Sequence, residues 1–288
     1  MSQRHLELSS HRELLRSFLA EDLGSGDLTT RAIVPKGLRA RGRIVAKAPM
    51  VLAGLEAAIE VFRLLDQSVT AKINRPDGAA LAPNDEPALI RANAQALLSG
   101  ERVALNLLQR LTGIATLARQ YVEAVAGTPA RIVDTRKTTP GIRALEKYAV
   151  TVGGAENHRR GLDDAILVKE NHIRLAGGIP QAMQAVRTLR GEARFIEIEV
   201  TTIDEMQQAL AQSPDMILLD NMPPEAVRHA VKLVRQQDGK ILIEASGGIT
   251  LANVRAYAEA GADWISVGAL THSAPAADLS LEIEPLVD

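Results

Sequence analysis

Positively charged side chains gather at three points in the second half of the chain: Arg136-Lys137, His158-Arg159-Arg160 and Lys169. The whole chain carries a formal net charge of −2, so these cations are a local feature. On a surface helix such residues would form a solvated face. If they line one pocket instead, each arginine offers a planar pair of N–H donors to a carboxylate or phosphate, and each lysine offers a point charge. We therefore expect a pocket for a substrate with several negative charges, with His158 joining it beside the two arginines.

Carboxylates are interspersed with these cations. Glu199 and Asp220 close two successive apolar runs, and Glu197 shares a strand face with Glu199 because side chains alternate along a strand. One interpretation is internal salt bridging that holds the arginines in place. The other is a site for Mg²⁺ or a ribose hydroxyl, since oxygen ligands hold Mg²⁺ near a diphosphate. We favour the second interpretation for Glu199 and Asp220.

Two glycine-containing segments near the end of the chain predict a phosphate site. Ser246-Gly247-Gly248 precedes a helical stretch, and Val267-Gly268-Ala269 ends the next apolar run. Glycines let backbone N–H groups approach an anion, and a helix N-terminus adds a favourable partial charge. Either segment alone would be explained by turn geometry. Together they follow the last two strands, where barrels commonly hold phosphate.

The second half of the chain alternates short apolar runs with helical stretches, at intervals of roughly 20 to 35 residues. This pattern predicts parallel βα units, and six or seven of them favour a closed barrel over an open sheet. Barrel enzymes keep their chemistry at the C-terminal strand ends, where the polar residues above fall. The predicted strands are Arg131–Asp134, Ala165–Lys169, Phe195–Val200, Met216–Asp220, Ile241–Ala245 and Trp264–Val267. The predicted helices between them are Ile179–Arg190, Ile203–Ala211, Pro224–Gln236 and Leu251–Ala260.

The first half has a mixed pattern that is typical of an α+β domain. Helices are predicted at Glu13–Ala20 and Gly54–Leu65, and an alternating strand at Ala40–Lys47. A long helical segment follows at Ala94–Ala124, with an interruption predicted near Thr112-Gly113. We expect an N-terminal domain over residues 1–108, a barrel domain over 109–270, and a tail over 271–288 that packs on the first domain.

Composition excludes several classes of protein. Hydrophobic residues make up 46% and charged residues 24%, which is ordinary for a globular protein. The chain has no cysteine, which excludes disulfides and thiolate catalysis. The near-neutral balance gives no general attraction to nucleic acid or anionic membranes. The charged N-terminal residues lack the apolar run of a signal peptide, so we expect a cytoplasmic protein.

Ordered segments along nearly the whole chain resemble the quinolinate phosphoribosyltransferase family of NAD biosynthesis. The Asp134–Thr138 and Glu244–Ile249 blocks are the most specific, and Glu170 stands where the family usually has aspartate. The segments that carry the resemblance are Glu21-Asp22-Leu23-Gly24 with Asp27-Leu28-Thr29-Thr30, Glu101-Arg102 through Asn106-Leu107-Leu108, Asp134-Thr135-Arg136-Lys137-Thr138-Thr139-Pro140-Gly141, Gly153-Gly154 to His158-Arg159, Lys169-Glu170-Asn171-His172-Ile173, Glu197-Ile198-Glu199-Val200, Asp220-Asn221, Glu244-Ala245-Ser246-Gly247-Gly248-Ile249 and Gly268-Ala269-Leu270-Thr271-His272-Ser273.

The resemblance implies an N-terminal α/β sandwich domain and an open, seven-stranded α/β barrel. It also implies a homodimer in which Arg102 reaches the neighbouring subunit's site, and a Mg²⁺ cofactor held by Glu199 and Asp220. The implied catalytic residues are Lys137, Glu199 and Asp220. The residues implied to bind quinolinate or phosphoribosyl pyrophosphate are Arg102, Thr135, Arg136, Lys137, His158, Arg159, Lys169, Glu199, Asp220, Ser246, Gly247, Gly248, Val267, Gly268 and Ala269.

Three other functions remain open at this point. A paralogous group linked to molybdenum transport operons shares the implied architecture, but the segments around His158-Arg159 and Lys169–His172 resemble the quinolinate enzyme more closely. A barrel aldolase could use Lys137 or Lys169 as a Schiff-base amine, because fold alone does not decide chemistry. A non-catalytic binding protein is the third, and the carboxylates at the strand ends argue against it.

Overall fold

The computed structural model describes residues 11–237 and 239–286. The chain forms two compact units, which are described separately. The first unit takes in the chain up to Leu117, Thr139–Gly153, and the chain from Ala274 onward. The second takes in Ala118–Thr138 and Gly154–Ser273. Within the described residues, no helix combines the length and the apolar character that crossing a bilayer requires.

The first unit is built on a four-stranded antiparallel sheet with the strand order β12-β1-β5-β3. Side chains along β1 alternate between buried and half-buried before the strand ends in a buried run, which fits a sheet with one face on the core. On the more exposed face, Arg43 pairs with Glu86 and Glu282. The strands are β1 (Arg39–Ala46), β3 (Thr70–Ile73), β5 (Ala88–Asn93) and β12 (Leu279–Pro285), and the two-residue strands β2 (Met50–Val51) and β4 (Ala80–Leu81) pair separately.

Helices of the first unit include the predicted ones and two that the sequence reading did not identify. The helices that begin in this unit are α1 (Arg12–Leu23), α2 (Leu28–Ile33), α3 (Leu55–Leu65), α4 (Ala94–Ala124) and α5 (Arg143–Gly153). Helix α3 begins at the carboxylate of Asp77, which accepts hydrogen bonds from the backbone N–H groups of Gly54 and Leu55 at 2.7 and 3.1 Å. The hydroxyl of Tyr148 donates to the same carboxylate at 2.8 Å.

The predicted interruption of the long helix is wrong, because α4 runs without a break through Thr112 and Gly113. A Cβ atom at Gly113 would lie 1.9 Å from the backbone oxygen of Pro275. The glycine is therefore needed for the close approach of another chain segment, and the helix tolerates it. Thr112 is buried, and its hydroxyl accepts a hydrogen bond from the backbone N–H of Ala53 at 3.2 Å. Thr112 therefore lies on the packed face of a continuous helix.

The second unit confirms the predicted alternation of strands and helices. Its sheet has six parallel strands in the order β6-β11-β10-β9-β8-β7. Buried β-branched and aliphatic residues dominate these strands, as expected for strands that helices cover. The strands are β6 (Arg131–Val133), β7 (Ile166–Val168), β8 (Ile196–Val200), β9 (Met216–Asp220), β10 (Leu242–Ser246) and β11 (Trp264–Ser266). The helices are α6 (Glu170–Ala176), α7 (Ile179–Val186), α8 (Ile203–Leu210), α9 (Pro224–Gln237), α10 (Val254–Glu259) and α11 (Ala269–His272).

The expected seventh strand is reduced to one isolated parallel bridge between Val133 and Glu156. The segment lies beside β6, since the backbone N–H of Glu156 donates to the Ile132 carbonyl at 2.9 Å. The imidazole of His158, which follows this edge segment, contacts Glu197 in β8 and Glu244 in β10. A side chain at one sheet edge touches these strands because the sheet curves around it, as in an open barrel.

Candidate active site

The C-terminal ends of the six parallel strands surround a cavity of about 530 Å³. Most of the side chains that the sequence placed at strand ends line it, so the structure brings them together. Its location agrees with the rule that barrel chemistry lies at this end of the strands. The lining residues are Asp134, Thr135, Arg136, Lys137, His158, Arg159, Leu167, Lys169, Glu199, Leu218, Asp220, Asn221, Glu244, Ser246, Gly247, Gly248 and Ser266.

Arg159 is a buried cation at the edge of the cavity, with a relative exposure of 7%. One of its guanidinium nitrogens, Nη1, donates to the Ala165 carbonyl at 3.2 Å. Burial, and then the positive charge of Arg136, lower the pKa of this guanidinium below its usual value. An anion in the cavity would relieve both effects, because it would neutralise two neighbouring positive charges. Arg160 is exposed and does not line the cavity.

The loop after β6 presents Arg136 and Lys137 to the cavity. The Thr135 hydroxyl accepts a hydrogen bond from the backbone N–H of Lys137 at 3.0 Å, which tightens the turn between them. The hydroxyl of Thr271, a buried residue of α11, donates to the Lys137 carbonyl at 2.8 Å. These two bonds fix the backbone of Lys137, while its side chain stays exposed.

Glu199 and Asp220 face the same cavity from the ends of the neighbouring strands β8 and β9. Glu199 forms an ion pair with Lys169, and the Asn221 amide donates to Asp220 at 2.8 Å. The ion pair places Lys169 at the carboxylate side of the site. It also argues against the aldolase reading, since a Schiff-base lysine needs a desolvated neutral amine. Lys137, the other candidate amine, is exposed.

His172 has a structural task that the sequence reading left undecided. Its Nδ1 accepts the backbone N–H of Lys169 at 2.9 Å, at the start of α6. The ring therefore caps the helix and holds the backbone of Lys169. His172 does not line the cavity around Lys169.

The loop after β10 has the backbone that the phosphate prediction requires. Gly247 and Gly248 have φ values of +90° and +61°, a left-handed region that favours glycine. A Cβ atom at Gly247 would lie 2.2 Å from Oδ1 of Asn221, whereas Gly248 has no atom within 4 Å of that position. The Asn253 side chain donates to the Gly248 carbonyl at 3.1 Å and closes the loop.

The segment after β11 contributes less than the sequence suggested. Val267 and Ala269 do not line the cavity, and the backbone N–H of Val267 already donates to the Val133 carbonyl at 3.0 Å. Gly268 lies between the side chains of Lys137 and His272, because a Cβ atom there would be 3.0 Å from Lys137 Cδ and 3.1 Å from His272 Nε2. His272 is thus a neighbour of Lys137 that the sequence reading did not assign. Its position in the short segment that follows the last parallel strand is the available signal.

At the wall of the cavity, the imidazole of His158 lies against two buried carboxylates. Its Nε2 is 3.0 Å from Glu197 and 3.1 Å from Glu244. Burial, and then the charge of Glu244, raise the pKa of Glu197 to about 8. The family resemblance implies a substrate contact for His158 and gives Glu244 no role.

Arg102 belongs to the first unit and is exposed there. It lines a separate cavity of about 510 Å³, together with Glu21, Asp22 and Arg110. Arg110 is held by a salt bridge of 2.8 Å to the buried carboxylate of Glu146. The first unit therefore has a cavity of its own that both acidic and basic side chains line.

Comparisons with known proteins agree on one family. The sequence models of the quinolinate phosphoribosyl transferase N-terminal and C-terminal domains match residues 27–112 and 114–282. A Synechocystis sp. protein named probable nicotinate-nucleotide pyrophosphorylase (carboxylating) is 48% identical over 271 residues, which cover 93% of this chain and 91% of that protein. A Bacillus subtilis protein of the same name is 44% identical, with 97% and 94% covered. The crystal structure of NadC from Streptococcus pyogenes superposes with a TM-score of 0.93 at 38% identity, covering 98% of this chain and 99% of that one.

Proposed function

Because the chain belongs to the quinolinate phosphoribosyl transferase family, we propose that it transfers a phosphoribosyl group from phosphoribosyl pyrophosphate to quinolinate. The products are nicotinate mononucleotide, diphosphate and CO₂. The observation that carries this proposal is the order of groups around the strand-end cavity: buried and half-buried arginines follow β6 and the segment bridged to it, whereas two carboxylates and a glycine loop follow β8, β9 and β10. Such a cavity suits one substrate with two carboxylates and a second with a sugar and phosphates.

Quinolinate would bind at the arginine side. Arg136 and Arg159 would receive its two carboxylates, since guanidinium groups form paired hydrogen bonds with carboxylates. Arg159 gains most from such a partner, because it is buried and lies close to the positive charge of Arg136. Lys137 would add a further positive charge at the cavity mouth.

Phosphoribosyl pyrophosphate would bind at the glycine side. The backbone of Ser246–Gly248 would receive a phosphate group, and Lys137 with His272 beside Gly268 would face another. The Glu199 and Asp220 carboxylates would accept hydrogen bonds from ribose hydroxyls. This arrangement places the sugar between the two groups of charges.

The reaction is a substitution at C1 of the ribose, followed by loss of CO₂. The C1–O bond breaks and its electron pair leaves with the diphosphate, while the pyridine nitrogen forms the new bond to C1. The ring nitrogen then carries a positive charge beside the C2 carboxylate. The C2–carboxylate bond breaks, its electron pair remains on C2, and a proton from solvent replaces CO₂. The protein contributes mainly position and electrostatics, with no covalent intermediate.

The residues present fit a Mg²⁺ ion at the carboxylate side. Glu199 and Asp220 face one cavity from adjacent strands, and Mg²⁺ is usually held by one or two carboxylates together with substrate phosphates. When bound, the ion would neutralise charge on the diphosphate leaving group. Opening of the Lys169–Glu199 ion pair would free both side chains for this arrangement.

We also propose a homodimer in which Arg102 of each chain reaches the partner's cavity. The support is the exposure of Arg102 in the first unit and the role that the family resemblance implies for it. Light scattering of the purified protein would show a dimer. Arg102→Ala would weaken the binding of quinolinate without changing the oligomeric state. The proposal would be contradicted if the protein were a monomer in solution and still turned over quinolinate at its full rate.

The proposed reaction is tested by incubating the purified protein with quinolinate, phosphoribosyl pyrophosphate and Mg²⁺ while nicotinate mononucleotide and CO₂ are followed together. We expect both products in equal amounts, and none after chelation of the metal. Turnover of a monocarboxylate such as nicotinate, without turnover of quinolinate, would instead indicate the paralogous function. The absence of turnover with either acid would refute the proposal.

The two halves of the cavity are expected to respond separately to mutation. Arg136→Ala should raise the KM for quinolinate about 10-fold, because a hydrogen-bonded charge pair is lost, and Asp220→Ala should raise the KM for phosphoribosyl pyrophosphate by a similar factor. Steady-state kinetics with each substrate varied in turn gives both constants. Arg160→Ala is the matched control, since this arginine lies outside the cavity. Equal increases in both constants for each variant would contradict the assignment.

A further inference from the structure

The interior of the parallel sheet holds an imidazole and two carboxylates that the proposed reaction does not use directly. His158, Glu197 and Glu244 are 5%, 0% and 1% exposed, and their ligand-type atoms lie within 4.8 Å of one another. The rings of Phe195 and Trp264 pack edge-on against the imidazole, with centroid distances of 5.5 and 5.7 Å. We refer to His158, Glu197 and Glu244 as the buried cluster.

The hydrogen bonds of His158 identify its tautomer. Nδ1 accepts the backbone N–H of Arg159 at 2.8 Å, so Nδ1 carries no proton. A neutral ring then carries its proton on Nε2, which lies between Glu197 and Glu244. A metal ion would need a lone pair at Nε2, so this tautomer argues against a metal centre at the buried cluster. Nδ1 is engaged by the backbone N–H of Arg159, and Nε2 lies in contact with both carboxylates.

The imidazole therefore connects the carboxylates to the residue that follows it. On one side, Nε2 contacts Glu197 and Glu244 at 3.0 and 3.1 Å; on the other, Nδ1 accepts a hydrogen bond from the backbone N–H of Arg159 at 2.8 Å. The backbone N–H of His158 donates to the buried carboxylate of Asp134 at 2.9 Å. The backbone that leads into Arg159 is therefore fixed at two successive N–H groups.

We propose that Glu197 and Glu244 are positioning residues, which act through His158 to hold Arg159 in the orientation that receives a carboxylate of the substrate. The inference rests on the proposed function for the identity of that substrate. It gives His158, which the family resemblance places on the substrate, a supporting role as well. Specificity for the dicarboxylate then depends in part on residues that act through Arg159.

A purely structural role for the buried cluster is difficult to reconcile with its composition. Nε2 and both carboxylate oxygens of Glu197 lack a well-aligned hydrogen bond within residues 11–237 and 239–286. Burying polar groups with incomplete hydrogen bonding is costly, and apolar side chains of similar volume at such positions often leave stability unchanged or increase it. Stability and substrate recognition should therefore respond in different ways to mutation.

The test compares Glu244→Leu, which removes the acceptor, with Glu244→Gln, which keeps a carbonyl oxygen for the Nε2–H group. We expect Glu244→Leu to raise the KM for quinolinate about 10-fold while the KM for phosphoribosyl pyrophosphate changes less than about twofold. Glu244→Gln should restore most of the affinity. A triple variant, His158→Met with Glu197→Leu and Glu244→Leu, should unfold at a temperature no lower than Glu244→Leu and show the same high KM for quinolinate.

A double-mutant cycle with Arg159 makes the test specific. If the buried cluster acts through Arg159, then adding Glu244→Leu to Arg159→Ala should raise the KM for quinolinate no further. Independent, multiplying effects would overturn the inference. So would a wild-type KM for quinolinate in Glu244→Leu, or a parallel rise of both Michaelis constants. A wild-type protein that does not turn over quinolinate would instead refute the proposed function itself.

Discussion

Replacement of Gly247 by alanine is expected to lower kcat/KM about 100-fold or more, because a displacement of the order of 1 Å at a reacting centre costs this much. The new methyl group would lie 2.2 Å from Oδ1 of Asn221 and 2.9 Å from its backbone nitrogen. Asn221 cannot easily move, since its backbone N–H donates to Ser246 at 2.8 Å and its amide donates to Asp220 at 2.8 Å. The collision would therefore displace the glycine loop and the carboxylate together.

Steady-state kinetics with both substrates measures this effect, and Gly127→Ala provides the matched control. Gly127 has a φ of +81° in a turn of the same unit, with no atom within 4 Å of a Cβ position. Alanine there introduces similar backbone strain without a collision, so activity should stay near that of the wild type. A comparable loss of activity in Gly127→Ala would show that backbone strain, and not the contact with Asn221, is responsible.

Gly113→Ala is expected to lower the free energy of unfolding by about 2 kcal/mol or more, because overpacking of this kind costs about 1–3 kcal/mol and occasionally more. The sign of this change in the free energy of unfolding distinguishes overpacking from helix propensity. Alanine in place of glycine usually stabilises a helix interior by about 1 kcal/mol. Here the added methyl group would lie 1.9 Å from the carbonyl oxygen of Pro275, and a backbone atom cannot rotate away.

Urea denaturation followed by circular dichroism measures the change, with Gly100→Ala as the comparison in the same helix. A Cβ atom at Gly100 would lie 3.0 Å from the ring of Phe62 and 3.1 Å from Leu65, and both are side chains that can adjust. Gly100→Ala should therefore cost less stability than Gly113→Ala. The reverse order would mean that the segment at Pro275 yields more readily than the side chains around Gly100.

The sequence was sufficient to predict the parallel strands of the second unit nearly to the residue. Met216–Asp220 was predicted and found with the same bounds, and Phe195–Val200 differs by one residue from β8. Short buried runs of branched residues have few alternatives to a covered strand. The short strands β2 and β4 were missed, because two residues carry no periodicity. The prediction at Gly113 is wrong because the sequence alone does not distinguish a glycine that interrupts a helix from one that allows another chain segment to pack closely against it.

The candidate site could likewise be predicted from the sequence only in part. Residue type and strand position were sufficient to bring Arg136, Lys169, Glu199 and Asp220 to one cavity. They were not sufficient to separate Glu197 from Glu199, which share a strand face but differ in depth. Glu197 is fully buried beside an imidazole, whereas Glu199 is half-buried and pairs with Lys169. Depth along a barrel axis depends on the tilt of the strands, which the local sequence does not encode.

The pairing of β1 with β12 has a consequence for synthesis on the ribosome. Arg41 and Glu284, which form a salt bridge across these strands, are 243 residues apart in the chain. At common translation rates that interval takes on the order of 10 to 50 seconds. Every strand of the parallel sheet is synthesised during this interval, while the edge of β1 that pairs with β12 remains unpaired. An unpaired strand edge can pair with a wrong partner, so we expect β1 of the nascent chain to need protection until β12 has been made.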